Sequence, residues 1–268
     1  MPDNTIEWGQ GAVNNDIGWG KAAGTATNDW GKSQKESWAG DTDIVGVTAD
    51  PFVNTYSLNF DGSNEHLRFR DANNSYTFNE FAGANGTQSY SFWVKPVLDG
   101  TSDWIISGSH VQYGGFLFTS QAKLRYYAHY QGTFNFDLTL TNNVWQHVAI
   151  VFGLNGLVQP YKNGQPTTPL TNIPMPYKSY YDRIGMLENR YHPIRGNYDE
   201  FSAYNYALSA NQVQSIWNSG TPNNVLSLNP ILYYRFEEGT GTTINDSSTA
   251  GLNALKSNGI TFQTDVPS

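Results

Sequence analysis

Short stretches of alternating apolar and polar residues, separated by tight-turn signals, fill residues 52–220 and constrain the fold most strongly. Two Asn-Gly pairs, Asn155-Gly156 and Asn163-Gly164, lie between such stretches. A type I′ hairpin turn needs positive φ at both central residues, and Asn followed by Gly meets this need well. The pattern therefore predicts many short antiparallel strands and argues against long amphipathic helices.

The composition agrees with a β-rich chain. Aromatic residues make up 15% of the 268 residues and charged residues 14%, as expected where rings fill the space between strands. This length suits one all-β domain with extensions, or two small domains. One short helix is predicted, because Ser209 and Gln212 form an S-x-x-Q capping box, and we expect Gly220 to end it.

Charge and hydropathy exclude several classes of partner. The formal net charge is −8 and no basic run is present, so we expect no nucleic-acid partner. The chain has no cysteine, which excludes disulfides and thiolate metal sites. No apolar stretch approaches the roughly 18 residues of a membrane span, and the N-terminus lacks the features of a secretory signal peptide. We therefore expect neither membrane insertion nor the ordinary secretory route.

Residues 1–48 differ from the rest and contain a repeat of eleven residues. Trp8, Trp19 and Trp30 are each followed by Gly and then by Gln or Lys, and Trp38 breaks the register. Each repeat has one large apolar side chain, which is too little to build a core alone. We expect these four indoles to dock on their own domain, on sister subunits or on a larger assembly; the alternative is a disordered tail.

An ordered set of segments resembles a known family: SLNFDGSNEHL, YSFWVKP, VWQHVAIVF, YKNGQ and GNYDEFSAYNYALSANQVQSIWNSG. Together they are similar to the LamG-like domains of the concanavalin A-like lectin/glucanase superfamily, over roughly residues 56–220. The resemblance implies an all-β fold, a two-sheet antiparallel jelly-roll sandwich with one short helix and, here, an extended N-terminal arm. The expected divisions are an arm (1–48), a jelly roll (49–225) and a C-terminal strand extension (226–268).

The C-terminal extension departs from the family pattern. LYYRFEEGTGTTINDSSTAGLNA resembles the opening strand of such domains, yet here it follows the helix. Three explanations stay open: a circularly permuted domain, a truncated second domain, or a strand that completes a neighbouring subunit. Strand exchange of the last kind would favour a homo-oligomer.

The sequence gives no sign of catalysis. Glycoside hydrolases, some of which belong to this superfamily, need two carboxylates on one face of the cleft, and their E-x-D-x-x-E pattern is absent. Glu237 and Glu238 are adjacent on a predicted strand, so their side chains lie on opposite faces. His147, in WQHVAI, is expected to be structural. We therefore name no catalytic residue and predict that the protein is not an enzyme.

The resemblance also implies a structural calcium ion, and we expect no other cofactor. In relatives the ion is held partly by an Asp of the closing strand, and Asp199 of NYDEF matches that position. Asp61 of FDG is a second candidate ligand. The alternative for Asp61 is a side-chain hydrogen bond within its own turn.

Two aromatic clusters are candidate glycan-binding sites. Sugar rings stack on aromatic faces, but core filling and subunit contacts also favour Tyr. Glycan binding, and core filling or subunit contact, both stay open as explanations for the cluster in LRYYAHY and for the cluster in PYKSYYDRIGMLENRYH. Their members are Tyr126, Tyr127 and Tyr130, and Tyr177, Tyr180, Tyr181, Tyr191 and His192.

The Trp-Gly repeats, followed by SWAGDTDI and then by a LamG-like domain, resemble virion proteins of tailed bacteriophages. The first hypothesis is a phage virion structural protein: a capsid decoration, head-fibre or tail-fibre subunit on the virion surface. Its partners would be sister subunits, other virion proteins and cell-surface or environmental glycans. A stand-alone carbohydrate-binding lectin or adhesin module, acting outside the cell, is the alternative, and a degenerate glycosidase is the third.

Overall fold

The computed structural model describes residues 52–69, 86–108, 115–128, 131–174, 181–186, 193–257 and 259–268. Trp8, Trp19, Trp30 and Trp38 lie outside these ranges. Residues Val53–Ser268 form one unit, built from two eight-stranded antiparallel sheets. This confirms the predicted two-sheet jelly-roll sandwich.

The strands in chain order are β1 (Ser57–Asp61), β2 (Leu67–Phe69), β3 (Gln88–Pro96), β4 (Asp103–Gly108), β5 (Gly115–Phe118), β6 (Lys123–Ala128), β7 (Gly132–Thr139), β8 (Gln146–Phe152), β9 (Val158–Lys162), β10 (Gln165–Pro166), β11 (Tyr181–Ile184), β12 (Arg195–Tyr204), β13 (Leu232–Tyr234), β14 (Thr243–Ile244), β15 (Ala254–Lys256) and β16 (Thr261–Gln263). The helix α1 spans Ala210–Trp217. Within the described ranges, no helix is both long and apolar enough to cross a membrane.

The two sheets pack face to face around one aromatic-rich core. Sheet A has the order β10-β9-β8-β3-β12-β1-β16, with β13 also paired to β12. Sheet B has the order β14-β15-β2-β11-β4-β5-β6-β7. Rings from both inner faces meet in the middle: Phe152 of sheet A lies 5.9 Å from Phe116 and 5.1 Å from Tyr126 of sheet B, centroid to centroid. Such interdigitation is what joins two sheets into a sandwich.

The two predicted Asn-Gly turns and the predicted helix cap are present in the structure. Asn155 and Gly156 have φ of 58° and 72°, and Asn163 and Gly164 have 50° and 70°, as the predicted hairpin turns require. The capping box at the start of α1 is also confirmed. The prediction that Gly220 ends the helix was wrong, because the left-handed cap is Asn218, with φ of 44°.

Helix α1 covers part of the outer face of sheet A. Its buried residues Val213 and Ile216 join a second apolar cluster with Ala149, Val151 and Tyr204 of that face. This packing explains why nearly every residue of β8 and β12 is buried, on both sides of the sheet. The outer face of sheet A is therefore largely closed at this end.

The C-terminal extension completes the same sandwich. β13 pairs with β12, β15 with β2 and β16 with β1, so the extension contributes strands to both sheets of its own chain. Of the three explanations for its position, the structure has the one in which the opening strand follows the helix within one domain.

Candidate functional site

The outer face of sheet B is open along β6 and β7 but closed along β4, β5 and β11, because the outward residues of those three strands, among them Trp104, Leu117 and Arg183, are buried. Along β6, Leu124 and Tyr126 point into the core and are buried, whereas Arg125 and Tyr127 point outward and are half-buried. Along β7, every outward residue is exposed. The outward side chains of β6 and β7 are therefore the ones on this face that a ligand can reach.

A continuous row of paired residues crosses this face. Directly paired residues on one side of a sheet lie about 5 Å apart, so the row has no gap. In order from β2 to β7, its members are Arg68, Arg183, Ser107, Gly115, Tyr127 and Thr133.

Because Gly115 has no side chain, the Trp104 indole can pass over it and contact Tyr127. The ring of Trp104 lies 5.1 Å from the Tyr127 ring, tilted by 44°. A Cβ on Gly115 would lie 3.0 Å from Cζ3 of Trp104 and 2.2 Å from the Ile106 carbonyl oxygen, and its φ of +146° also favours glycine. The missing side chain makes the space in which the buried Trp104 ring packs against the half-exposed Tyr127 ring.

Polar groups stand beside this ring. Arg125 on β6 pairs directly with Asn135 on β7, and its Nε donates a hydrogen bond of 2.6 Å to Asn135 Oδ1. That bond orients the amide and the guanidinium relative to each other, next to Tyr127. An aromatic ring flanked by fixed N–H donors can stack on the apolar face of a sugar and bind its hydroxyl groups.

Of the five predicted glycan residues, the described ranges include Tyr181 alone. Tyr177, Tyr180, Tyr191 and His192 lie outside the described residues. Tyr181 is 1% exposed, and its ring packs against Tyr90 and Phe116 in the core. The prediction that Tyr181 stacks on a sugar is wrong in this structure, because its ring offers no exposed face. Tyr126 likewise fills the core, as one of the two explanations for its cluster expected.

The predicted calcium ligands do not share a site. Asp61 Oδ1 accepts a 2.8 Å hydrogen bond from Ser63 N within its own turn. Hydrogen bonds with the Ser63 side chain, then with the Glu65 side chain and the Ser63 backbone, lower the pKa of Asp61. Asp61 pairs with Arg195, four residues before Asp199 on β12, which is about 13 Å along the strand. Among the described residues, no group of three or more His, Asp or Glu side chains is arranged to hold a metal ion. Calcium binding stays a prediction for chelation to test.

Asp199 belongs instead to a buried polar cluster at a bulge in β12. It accepts 2.9 Å hydrogen bonds from Asn54 Nδ2 and Glu200 N, and burial raises its pKa well above the ordinary value. Glu200 accepts from the Tyr233 hydroxyl and, at 3.4 Å, from Arg235 Nε. Burial raises the pKa of Glu200 to about 8, against the opposing effect of these two partners.

The same cluster ties the segment before β1 to β13. Arg235 donates to the Val53 carbonyl oxygen at 2.5 Å, and Glu237 accepts from the backbone N–H groups of Thr55 and Tyr56. Glu238 accepts from Asn245 N instead, at 2.7 Å. Glu237 and Glu238 lie in a turn after β13 and not on the predicted strand, so the expected alternation does not apply. Their carboxylates nevertheless hold different segments and do not form an acid and nucleophile pair.

His147 is structural, as predicted. It is fully buried on the outer side of β8, with Nε2 2.8 Å from Ser91 Oγ, and burial lowers its pKa to about 3. The Trp93 ring packs on it at 5.3 Å. An imidazole enclosed in this way cannot reach a substrate.

Two eight-stranded antiparallel sheets packed face to face define the class of jelly-roll β-sandwiches. More particularly, the chain belongs to the Laminin_G_3 family of the concanavalin A-like lectin/glucanases superfamily, whose model matches residues 61–214. The resemblance inferred from the sequence is thereby confirmed. Comparison with curated proteins found no match.

Two solved structures are similar in fold. One is described as a "putative carbohydrate binding protein" from Bacteroides ovatus, at 21% identity and a TM-score of 0.57; the match covers 81% of this chain and 62% of that one. The other is a heptameric SAP-like pentraxin from Limulus polyphemus, at 15% identity and a TM-score of 0.54, covering 79% of this chain and 95% of that one. At these identities the likeness concerns the fold alone.

Proposed function

We propose that the outer face of sheet B binds carbohydrate. The observation that carries this proposal is the half-exposed Tyr127 ring, supported by the buried Trp104 and flanked by the Arg125–Asn135 pair. The membership of a lectin/glucanase superfamily, and the description of the similar Bacteroides ovatus protein, favour the same function. No paired carboxylates accompany the ring on the described part of this face, so binding fits better than hydrolysis.

The geometry suits weak, repeated contacts. One ring with two polar side chains covers a single sugar unit, for which a Kd of about 1 mM, or roughly 4 kcal/mol, is a reasonable scale. If several copies of the domain were displayed together, multivalency would raise the apparent affinity. Screening should therefore use arrayed or polymeric glycans, which report such avidity.

The experiment is a glycan array with the full chain, followed by titration calorimetry on the glycans that bind. Tyr127→Ala is expected to weaken binding at least tenfold, and Tyr127→Phe, which keeps the ring, by much less. Thr139→Ala, an exposed change at the far end of β7, is the matched control and should bind as the wild type does. Unchanged binding by a folded Tyr127→Ala variant would refute the proposed site.

We further propose that this domain is displayed by a phage virion, as a capsid decoration, head-fibre or tail-fibre subunit. The support is the Trp-Gly repeat of residues 1–48, whose single indole per repeat needs a partner surface. Deletion of residues 1–48 is expected to leave the sandwich folded but unable to join the particle. Normal incorporation of the shortened chain would contradict the anchoring role and leave the stand-alone lectin or adhesin as the better account.

A further inference from the structure

A carboxylate from the end of the chain is bound on the outer face of sheet A, on the part that α1 leaves uncovered. Three side chains donate to Asp265. Lys95 Nζ lies 2.6 Å and Asn197 Nδ2 3.1 Å from Oδ2, and Trp145 Nε1 lies 3.0 Å from Oδ1. We call Lys95, Trp145 and Asn197 the carboxylate socket.

The sheet, not the chain end, builds this socket. Lys95 of β3 pairs directly with Asn197 of β12, and Asn197 pairs with Asn59 of β1. Asn59 Nδ2 donates to Asn197 Oδ1 at 2.6 Å, which turns the Nδ2 donor of Asn197 toward the carboxylate. Asn197 is 7% exposed, so this orientation is fixed by its surroundings. The donors would keep these positions around another carboxylate.

The bound side chain is exposed enough to be displaced. The Asp265 side chain is 46% exposed and that of Lys95 is 24% exposed. Ion pairs with this exposure contribute little to stability, typically less than a well-buried contact. The socket nevertheless selects the ionised form: burial opposes it, but the hydrogen bonds from Lys95 and Trp145 prevail and lower the pKa of Asp265.

We propose that the carboxylate socket binds the carboxylate of an acidic sugar, such as a uronic acid, and that Asp265 occupies it as an intramolecular competitor. Asp265 shows which chemical group the three donors fit. The half-buried Trp145 ring adds a surface on which a sugar can stack, and the neighbouring Asn59 amide suits a hydroxyl group. This site lies on the opposite sheet from Tyr127 and does not depend on the function proposed there.

The backbone contact of Asp265 makes a clean test feasible. Ser57 Oγ donates to the Asp265 carbonyl oxygen at 2.7 Å, and Pro267 is buried beyond it. Removing the Asp265 carboxylate therefore empties the socket while these two contacts still hold the segment. Asp265→Ala is the main variant, and Asp265→Asn, which keeps the shape and removes the charge, is the second.

The experiment titrates the full chain and its variants with glucuronate, glucose and acetate, followed by tryptophan fluorescence and calorimetry. Asp265→Ala is expected to bind glucuronate at least tenfold more tightly than the wild type, with Asp265→Asn in between. Adding Lys95→Met to Asp265→Ala should abolish the gain, whereas adding Tyr127→Ala should leave it unchanged. Glucose should not bind the socket, and acetate should bind more weakly than glucuronate.

Two results would overturn the proposal. The first is a variant of Asp265 that keeps the wild-type Tm yet binds glucuronate no better than the wild type, which would make the contact a structural tie. The second is equal binding of acetate and glucuronate, which would reduce the socket to a general anion site without sugar recognition.

Discussion

Raising the pH from 5.5 to 8.5 is expected to destabilise the sandwich through Glu200. Burial raises the pKa of this carboxyl to about 8 in the folded protein, from an ordinary 4.5. The folded chain thus keeps a proton that the unfolded chain has already released. The stabilisation from the protonated Glu200 carboxyl is complete below pH 4.5. It falls progressively above that pH and is lost once the pH has risen through 8. Each pH unit between these limits costs about 1.4 kcal/mol, so the loss between pH 5.5 and 8.5 is about 3 kcal/mol.

Asp199 acts in the same direction, because burial raises its pKa too, and the two carboxyls titrate as a pair. The assay is urea unfolding followed by tryptophan fluorescence at both pH values. Glu200→Gln should reduce the pH dependence and leave the part that Asp199 contributes, whereas Asp137→Asn, a change at an exposed position of β7, should retain all of it. Equal stability of the wild type at the two pH values would refute the argument, as would an undiminished pH dependence in Glu200→Gln.

Three further predictions concern individual contacts. Ser209→Ala removes the cap of α1 and should lower the free energy of unfolding by about 1 kcal/mol in urea denaturation; Thr240→Ala, at an exposed position outside the helix, serves for comparison. Gly115→Ala should cost about 2–4 kcal/mol and shift the tryptophan emission, because the new Cβ would meet the Ile106 carbonyl and Trp104; an unshifted spectrum with wild-type stability would disprove the supporting role of Trp104. EDTA tests the structural calcium predicted from the sequence: if Asp61 or Asp199 helps to bind the ion, chelation should lower Tm, and an unchanged Tm would refute the prediction.

Local features of this fold could be predicted because neighbouring residues determine them. The two Asn-Gly turns and the Ser209 cap depend on backbone conformations that few residue types adopt, and all three are found where expected. The end of α1 was mispredicted because two residue types can adopt the left-handed conformation that ends a helix. Asn218 adopts it almost as readily as glycine does, and Asn218 precedes Gly220 in the chain.

The site was harder to predict, because it depends on which sheet face is covered. Tyr181 and Tyr127 both lie on short strands, yet Tyr181 points into the core and Tyr127 points outward. A register shift between Tyr181 and Arg183 changes the alternation, and no local signal marks it. The alternating segment TFNFDLT could have identified β7, which the sequence analysis missed, and with it Asn135. The roles of Trp104 and Arg125 follow from cross-strand pairing, which a single sequence does not give.

The most direct test of the carbohydrate site is an NMR titration of the ¹⁵N-labelled chain with a glycan selected on the array. The largest shift changes are expected for backbone amides of β6 and β7 near Tyr127 and for the Nε–H of Arg125. If the shift changes were confined to the outer face of sheet A, with β6 and β7 unaffected at saturation, the assignment of the outer face of sheet B as the binding surface would be contradicted.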